Sequence, residues 1–354
     1  MNIAIIGSLL TPVPPSGQGS VELLAYYQAL IMARDGHNIS LFAPSDSHVP
    51  HDRVRIVETG SSVASFTRSV TTNSPEEVYG AAYNARLRQV NLSNTLELLK
   101  KISDIDVILN NCFDEAPVFA TEDRIKIPMF HIMHVPILPQ AAAIFKKYKT
   151  RLIPISNAQR PDQPDLNYTD TVYNGVDTAK FTYSGDHDGY LLYLGSMGRN
   201  KNPKDAILAA KESGNTLLLG GRIKDRDYYE TELAPLIDGK QIQWIGEKHP
   251  DEIIRIYQRA KAFLFPTLWN EPFGLVAIEA LSCGTPVIAY PNGGLVEIIK
   301  DGVNGYLVKN RQEMVQKIKE IDKIDRAVCR TYAEGHFSME KMVKEYERVL
   351  TASL

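Results

Sequence analysis

Short apolar runs rich in Val, Ile and Leu alternate along this chain with longer segments whose apolar positions recur every three or four residues. The first run, NIAIIG (2–7), is continuous and ends in glycine, the pattern of a strand buried on both faces. A Pro/Gly/Ser loop (11–20) follows, then VELLAYYQALIMARDG (21–36), which has helical spacing and a glycine placed to cap its C-terminus. HNISLFAP (37–44) is the next strand, so the chain opens with a βαβ unit. Residues 74–101 form a long helix in this reading, with Ser74 as N-cap, Pro75 at the first helical position and Glu76 and Glu77 complementing the dipole. DVILNN (106–111), IPMFHIMH (127–134) and LIPIS (152–156) supply further strands. After VYNGVDTAKF (172–181) the alternation restarts. Strands at 190–196, 216–221, 242–246, 262–266 and 286–290 are interleaved with helices at 203–213 and 251–260 and a third inside residues 270–294.

This grammar predicts an α/β protein of two Rossmann-like domains, with a ligand cleft between them at the C-terminal ends of the strands. The boundaries read from it are 1–172 for an N-terminal, acceptor-side domain, 173–335 for a C-terminal, donor-side domain and 336–354 for a terminal helix. A length of 354 residues agrees, because single cores stop growing at roughly 250–300 residues.

Composition narrows the function classes. The chain is 44% hydrophobic and 23% charged with a net charge of −3, and no stretch approaches the ~20 apolar residues of a membrane span. Lys and Arg number 15 against 17 Asp and Glu in residues 1–172, and 24 against 25 in the rest, so neither half has the basic excess of a nucleic-acid binder. The basic run FKKYKTR (145–151) reads as a solvated helix end, and at most as a peripheral contact with an anionic membrane. The start lacks a basic n-region, so no signal peptide is expected. Three scattered cysteines fit a reducing cytoplasm and give neither a disulfide framework nor a cysteine zinc site.

The segment NEPFGLVAIEALSCGTPVIAYPNGG (270–294) carries two acids, Glu271 and Glu279, in an otherwise apolar setting. Gly274 stands where a helix begins, and the amides of Gly274, Leu275 and Val276 would face outward unpaired, which makes an anion site. Glu279 lies about a turn and a half further in, and Glu271 just before the turn. Carboxylates suit hydroxyl donors, so the arrangement suggests a sugar nucleotide. Its diphosphate would rest on the amides, its ribose on Glu279 and its hexose near Glu271.

Residues 271–308 resemble the C-terminal signature of the retaining glycosyltransferases of family 4, whose two-Rossmann-domain layout is called GT-B. VYNGVD (172–177), GHNISLFAP (36–44) and HFSMEKMVKEYERVL (336–350) are similar to further parts of that family. The last looks like a terminal helix that crosses back to the N-terminal domain. The resemblance implies transfer of a hexose, of glucose or mannose type, from a nucleoside-diphosphate sugar with retention of anomeric configuration. It implies donor contacts from Phe273, Gly274, Leu275, Val276 and Glu279, and a catalytic role for Glu271. In LGSMGRNKN (194–202), Lys201 matches a family lysine, whereas Ser196 stands where the family has arginine, and Arg199 is offered as its replacement. Fixed cations there would neutralise the leaving diphosphate. The Gly19–Ser20 loop is similar to a donor-phosphate loop that usually holds two glycines. His134 matches a strand-end histidine that contacts the donor hexose.

The resemblance favours front-face attack over a covalent glycosyl-enzyme, for which no nucleophile is evident. The Asp-x-Asp pairs at 104/106, 186/188 and 225/227 read as solvated acids, so neither metal nor cofactor is expected, and a UDP-sugar is favoured over GDP- or ADP-sugars. A Rossmann oxidoreductase is disfavoured, because GSLLTPVPPSGQGS is too long and proline-rich for a dinucleotide fingerprint. A sugar-nucleotide epimerase and a catalytically silent sugar-nucleotide binder remain as alternatives. The hydroxyl acceptor, whether saccharide, lipid-linked or small molecule, is not read, and residues 61–74 are expected to help hold it. A cytoplasmic location, at most peripheral to the inner membrane face, completes the reading.

Overall fold

The computed structural model describes residues 1–17, 19–64, 82–112 and 125–352. They divide into two compact units. The first comprises residues 1–155, 160–172 and 343–354, and the second residues 156–159 and 173–342.

In the first unit β1 (Asn2–Ile6), β2 (Asn38–Ala43), β3 (Val54–Glu58), β4 (Val107–Asn110), β5 (Met129–Met133) and β6 (Arg151–Pro154) form one parallel sheet of order β3-β2-β1-β4-β5-β6. Ile3–Ile6 pair with Ile39–Phe42 on one side and with Val107–Asn110 on the other. The central strands are buried along almost their whole length, which is why their sequences are continuous apolar runs. Edge strand β3, VRIVE, has no fully buried residue and exposes Arg55 and Glu58, and its mixed pattern gave no sequence signal. The helices Ser20–Arg34, Tyr83–Leu99 and Pro139–Tyr148 connect these strands. The expected helix at 74–101 is seen as Tyr83–Leu99, and its proposed cap at Ser74 and Pro75 lies outside the described residues.

The second unit repeats the plan. β7 (Leu191–Leu194), β8 (Leu217–Gly220), β9 (Ile242–Gly246), β10 (Ala262–Phe265), β11 (Val287–Ala289) and β12 (Gly305–Leu307) form a parallel sheet of order β12-β11-β10-β7-β8-β9. Counted from each unit's first strand, both sheets read 3-2-1-4-5-6. That is the doubly wound order, with its reversal at β1/β4 and at β7/β10, and it places a crevice at the carboxyl ends of those two strand pairs. The two Rossmann-like α/β domains expected from the sequence are therefore present. The short strand β12 and the helices Arg311–Glu320 and Arg326–Phe337 went unread in the sequence.

Residues 156–159 belong to the second unit because Glu297 holds them there. Its carboxylate accepts from the amides of Asn157 (3.0 Å) and Ala158 (2.9 Å), from Asn157 Nδ2 (2.9 Å) and from the Tyr173 hydroxyl (2.8 Å). Among the described residues no helix is long and apolar enough to cross a membrane.

Candidate functional site

The crevice at β7/β10 is built by two loops. After β7 the chain makes a turn pinned by the buried Tyr193 hydroxyl, which donates to the Ser196 carbonyl at 3.2 Å. It then forms a single 3-10 turn, Arg199–Lys201. Asn202, at φ 52°, breaks that turn and Pro203 opens the next helix. After β10 the loop 266–274 leads into the helix Leu275–Ser282. The Asn200 carbonyl joins the two loops, accepting from the Leu268 amide (2.8 Å) and the Thr267 hydroxyl (3.2 Å).

That bridge sets Lys201 against Glu271. The Lys201 ammonium donates to Glu271 Oε2, which also accepts from Trp269 Nε1 at 2.8 Å. The ammonium lies 4.8 Å from the centroid of the Trp269 ring and 5.7 Å from that of Phe265. With side chains only 19% and 12% exposed, this is a sheltered ion pair flanked by aromatic faces, where water screens charge weakly. Two glycines make the position possible. Gly293, at φ 62°, approaches so closely that an added Cβ would sit 2.2 Å from the Glu271 carbonyl oxygen, and the Gly294 amide donates to that oxygen at 2.7 Å.

Gly274, at φ 117°, is the N-cap of the Leu275–Ser282 helix. Among the described residues the amides of Gly274, Leu275 and Val276 have no acceptor within the chain. The positive end of the helix therefore follows Glu271, the partner of Lys201, on the same loop, ready for an anion. One turn in, Glu279 accepts from the Tyr257 hydroxyl at 2.9 Å. Burial pushes its carboxyl up to about 7, against the opposing pull of the Tyr257 hydrogen bond. A carboxylate so placed gains from any further hydroxyl donor.

The structure thus brings together Glu271, Lys201, Gly274, Leu275, Val276 and Glu279. Phe273 is different, because its ring is 2% exposed and packs in an aromatic cluster with Tyr173 (6.0 Å) and Phe337 (5.9 Å). Only its main chain remains for a ligand. Arg199 is also set apart from the pair. Its guanidinium binds Glu232, lies 3.9 Å from Asp225 Oδ2 and stacks over Tyr228 at 4.6 Å, while Lys204 binds the other Glu232 oxygen at 3.0 Å.

The remaining candidates belong to the first unit. His134 directly follows β5, and its Nε2 lies 3.0 Å from Asn111 Oδ1, while Asn111 Nδ2 donates to Gln28 Oε1 at 2.9 Å. Burial first, and repulsion from His131 second, lower His134 to about 3, so the imidazole is neutral at physiological pH. Gly19 and Ser20 start the Ser20–Arg34 helix, with Ser20 exposed. Sequence reasoning missed Trp269, Asn200, Tyr257 and the Gly293–Gly294 pair. Only the glycine pair carried a readable signal, that of a close backbone approach.

Residues 179–335 match the family model for glycosyl transferases group 1. An uncharacterized glycosyltransferase of Methanocaldococcus jannaschii is 32% identical over 127 residues, 35% of this chain and 32% of that protein. The D-inositol 3-phosphate glycosyltransferase of Mycolicibacterium smegmatis is 28% identical over 229 residues, 57% of this chain and 51% of that protein. The matches thus span about a third to a half of the length of these relatives. Among solved structures, Anabaena HepE in complex with UDP superposes with a TM-score of 0.70 at 17% identity, covering 99% of this chain and 100% of that one. Residues 179–335 are thus similar to the glycosyl transferases group 1, and the chain has the GT-B fold of the structures it superposes on.

Proposed function

We propose that this chain, whose residues 179–335 match the glycosyl transferases group 1, moves a hexosyl group from a nucleoside-diphosphate sugar to a hydroxyl acceptor with retention of configuration. One observation carries the reading. The sheltered Lys201–Glu271 pair sits at the β7/β10 reversal, with Glu271 on the loop that ends in an uncapped helix N-terminus and Glu279 one turn beyond. The diphosphate rests on the Leu275 and Val276 amides, the ribose hydroxyls donate to Glu279, and Glu271 orients the hexose. Lys201 stabilises charge as the bond from the anomeric carbon to the phosphate oxygen breaks. The electron pair leaves with the nucleoside diphosphate. The acceptor oxygen bonds to the same face of the anomeric carbon and gives its proton to the departing phosphate oxygen. Arg199 is paired with Glu232, and its part in place of the missing family arginine needs that pair to open.

UDP is the favoured nucleotide, a preference supported by a structural neighbour crystallised with UDP and with UDP-glucose. No divalent cation is required in this mechanism. Calorimetric titration with UDP, GDP and ADP, in EDTA and then in Mg²⁺, tests the site. Metal-independent binding of UDP, weakened by Lys201→Ala, supports it, and no binding of any nucleotide overturns it. NMR of the product made from an α-linked donor tests retention. The same spectra separate transfer from epimerisation of the donor and from silent binding.

A further inference from the structure

The Tyr257 hydroxyl has no part in the transfer described above, yet among the described residues it is the donor on which the Glu279 carboxylate depends. We propose that Tyr257 is a positioning residue: it anchors Glu279 Oε2 on the inner side, turns Oε1 outward, and so makes the site select a nucleotide that carries the ribose diol. The proposal rests on the nucleotide-site reading and specifies how that site tells a ribonucleotide from one lacking its 2′ and 3′ hydroxyls.

Burial fixes the direction of the hydrogen bond. Tyr257 is 0% exposed, and burial first, with Glu279 second, holds its hydroxyl well above the usual tyrosine range. It therefore stays protonated and donates, at 2.9 Å, to Glu279 Oε2. Glu279 is half-buried, and among the described residues Oε1 takes no hydrogen bond and is not shut away from water. The two oxygens are thus unlike, one satisfied inside the chain and the other left to accept from outside it. Glu279 stands three residues after Val276 and four after Leu275, on the same face of the helix. Side chains tilt toward the N-terminus of their helix, so the carboxylate leans toward the amides that would hold the diphosphate. A ribose attached to that diphosphate meets Oε1.

Tyr257 can serve as an anchor because its own position is held from every side. It lies on the helix Pro250–Arg259, which starts in a capping box: the His249 amide donates to Glu252 Oε2 at 3.1 Å, and His249 Nδ1 accepts from the Asp251 amide at 3.4 Å. Near the other end the Thr285 hydroxyl donates to the Tyr257 carbonyl at 2.5 Å and accepts from Arg326 at 3.1 Å. Arg326, itself buried, also donates to the carbonyls of Gln258 (2.7 Å) and Ala260 (2.8 Å), at the negative end of the same helix. The Tyr257 ring packs edge-on against Phe263, with centroids 5.8 Å apart, and lies 6.3 Å from Phe181. The last torsion of a glutamate is by contrast broad and two-fold, so without this donor the carboxylate can turn away from the ligand. A tyrosine that only filled space could give its proton to any carbonyl. Here the acceptor is a carboxyl that burial disfavours as an anion, and the hydroxyl opposes that effect.

Calorimetric titration of the full chain with UDP and with 2′,3′-dideoxy-UDP, on the original protein and on Tyr257→Phe, tests the proposal. The substitution removes one oxygen and keeps the ring packing. The original should bind UDP at least about tenfold more tightly than the dideoxy analogue, the range of a hydrogen bond to a charged group. In Tyr257→Phe that ratio should fall below about threefold through weaker binding of UDP, with the affinity for the analogue within about twofold of the original. An unchanged ratio overturns the proposal, and so does equal weakening of both nucleotides, which is what a purely structural role produces. A ratio near one in the original protein overturns it without any variant. Should Tyr257→Phe fail to fold, crystals of the original chain with UDP decide the matter: a ribose hydroxyl on Oε1 with Tyr257 still on Oε2 supports the proposal, and a ribose that avoids Glu279 or displaces Tyr257 overturns it. If the original binds no UDP, the nucleotide-site reading falls and takes this inference with it, whereas UDP binding with an unchanged ratio overturns this inference alone.

Discussion

At the scale of single residues, the most informative group is Glu279, a carboxyl that burial raises to about 7. Its folded pKa lies above the ordinary carboxylate value of 4.5, so between pH 4.5 and 7 the folded chain binds more protons than the unfolded one. Stability must therefore fall as pH rises through that window, by about 3 kcal/mol in all. Glu279→Gln should abolish that part of the slope, and denaturant titrations of both proteins at pH 5 and pH 8 check it. A bound ribose reverses the preference, since its hydroxyls donate to the ionised form. The affinity for UDP-glucose, whose diphosphate does not titrate in this range, should rise about tenfold from pH 6 to pH 8 and lose that dependence in Glu279→Gln. Lys201 makes a second test. Lys201→Met leaves Glu271 sheltered with only the Trp269 indole as donor, so UDP affinity should drop about tenfold and stability by about 1–3 kcal/mol. An unchanged calorimetric affinity would remove Lys201 from the site.

At the scale of elements, the site depends on two loops that can meet only because glycines let their backbones touch. Gly293→Ala forces a Cβ into the Glu271 main chain at a left-handed φ of 62°, and should cost about 2–4 kcal/mol and weaken UDP binding. Gly214→Ala is the matched control. It caps the Pro203–Ser213 helix at φ 70°, but nothing lies within 4 Å of its added Cβ, so only about 1 kcal/mol should be lost, with UDP affinity unchanged. Urea midpoints and UDP titrations of both variants separate the two cases. The same contrast explains what could be read from the chain beforehand. Strands such as NIAII and VILN were legible because burial on both faces writes a continuous apolar run, and Pro203–Ser213 because proline and glycine punctuate its ends. β3 was not, since an edge strand wears a mixed pattern. The carboxylates Glu271 and Glu279 stood out against an apolar segment. By contrast, the Lys201–Glu271 pairing, the diversion of Arg199 to Glu232 and the burial of Phe273 are contacts between residues distant in sequence, which no local pattern encodes.

At the scale of the whole molecule, the two units are not two consecutive lengths of chain. Residues 343–354 belong to the first unit although they follow the whole of the second. Their hold on it is mostly apolar: Val343, Tyr346, Val349 and Leu350 are at most 4% exposed, and each is worth about 1.5–3 kcal/mol when buried. Charge pairs add less, with Arg348 meeting Asp170 at 2.8 Å and Glu347 lying 3.3 Å from His37. Together the four side chains approach the 5–15 kcal/mol that stabilises an ordinary domain. Deleting residues 343–354 should therefore unfold or loosen the first unit while leaving intact Lys201, Glu271, the Gly274–Val276 amides and Glu279, which all belong to the second unit. Hydrogen exchange read by mass spectrometry should show lost protection in β1, β2 and β4 but retained protection in β7, β8 and β10, and UDP should bind the shortened chain within about threefold of its original affinity, under 1 kcal/mol. Equal loss of protection in both sheets, together with lost UDP binding, would mean that the chain folds as one cooperative body, and the division into two units would then have no energetic content.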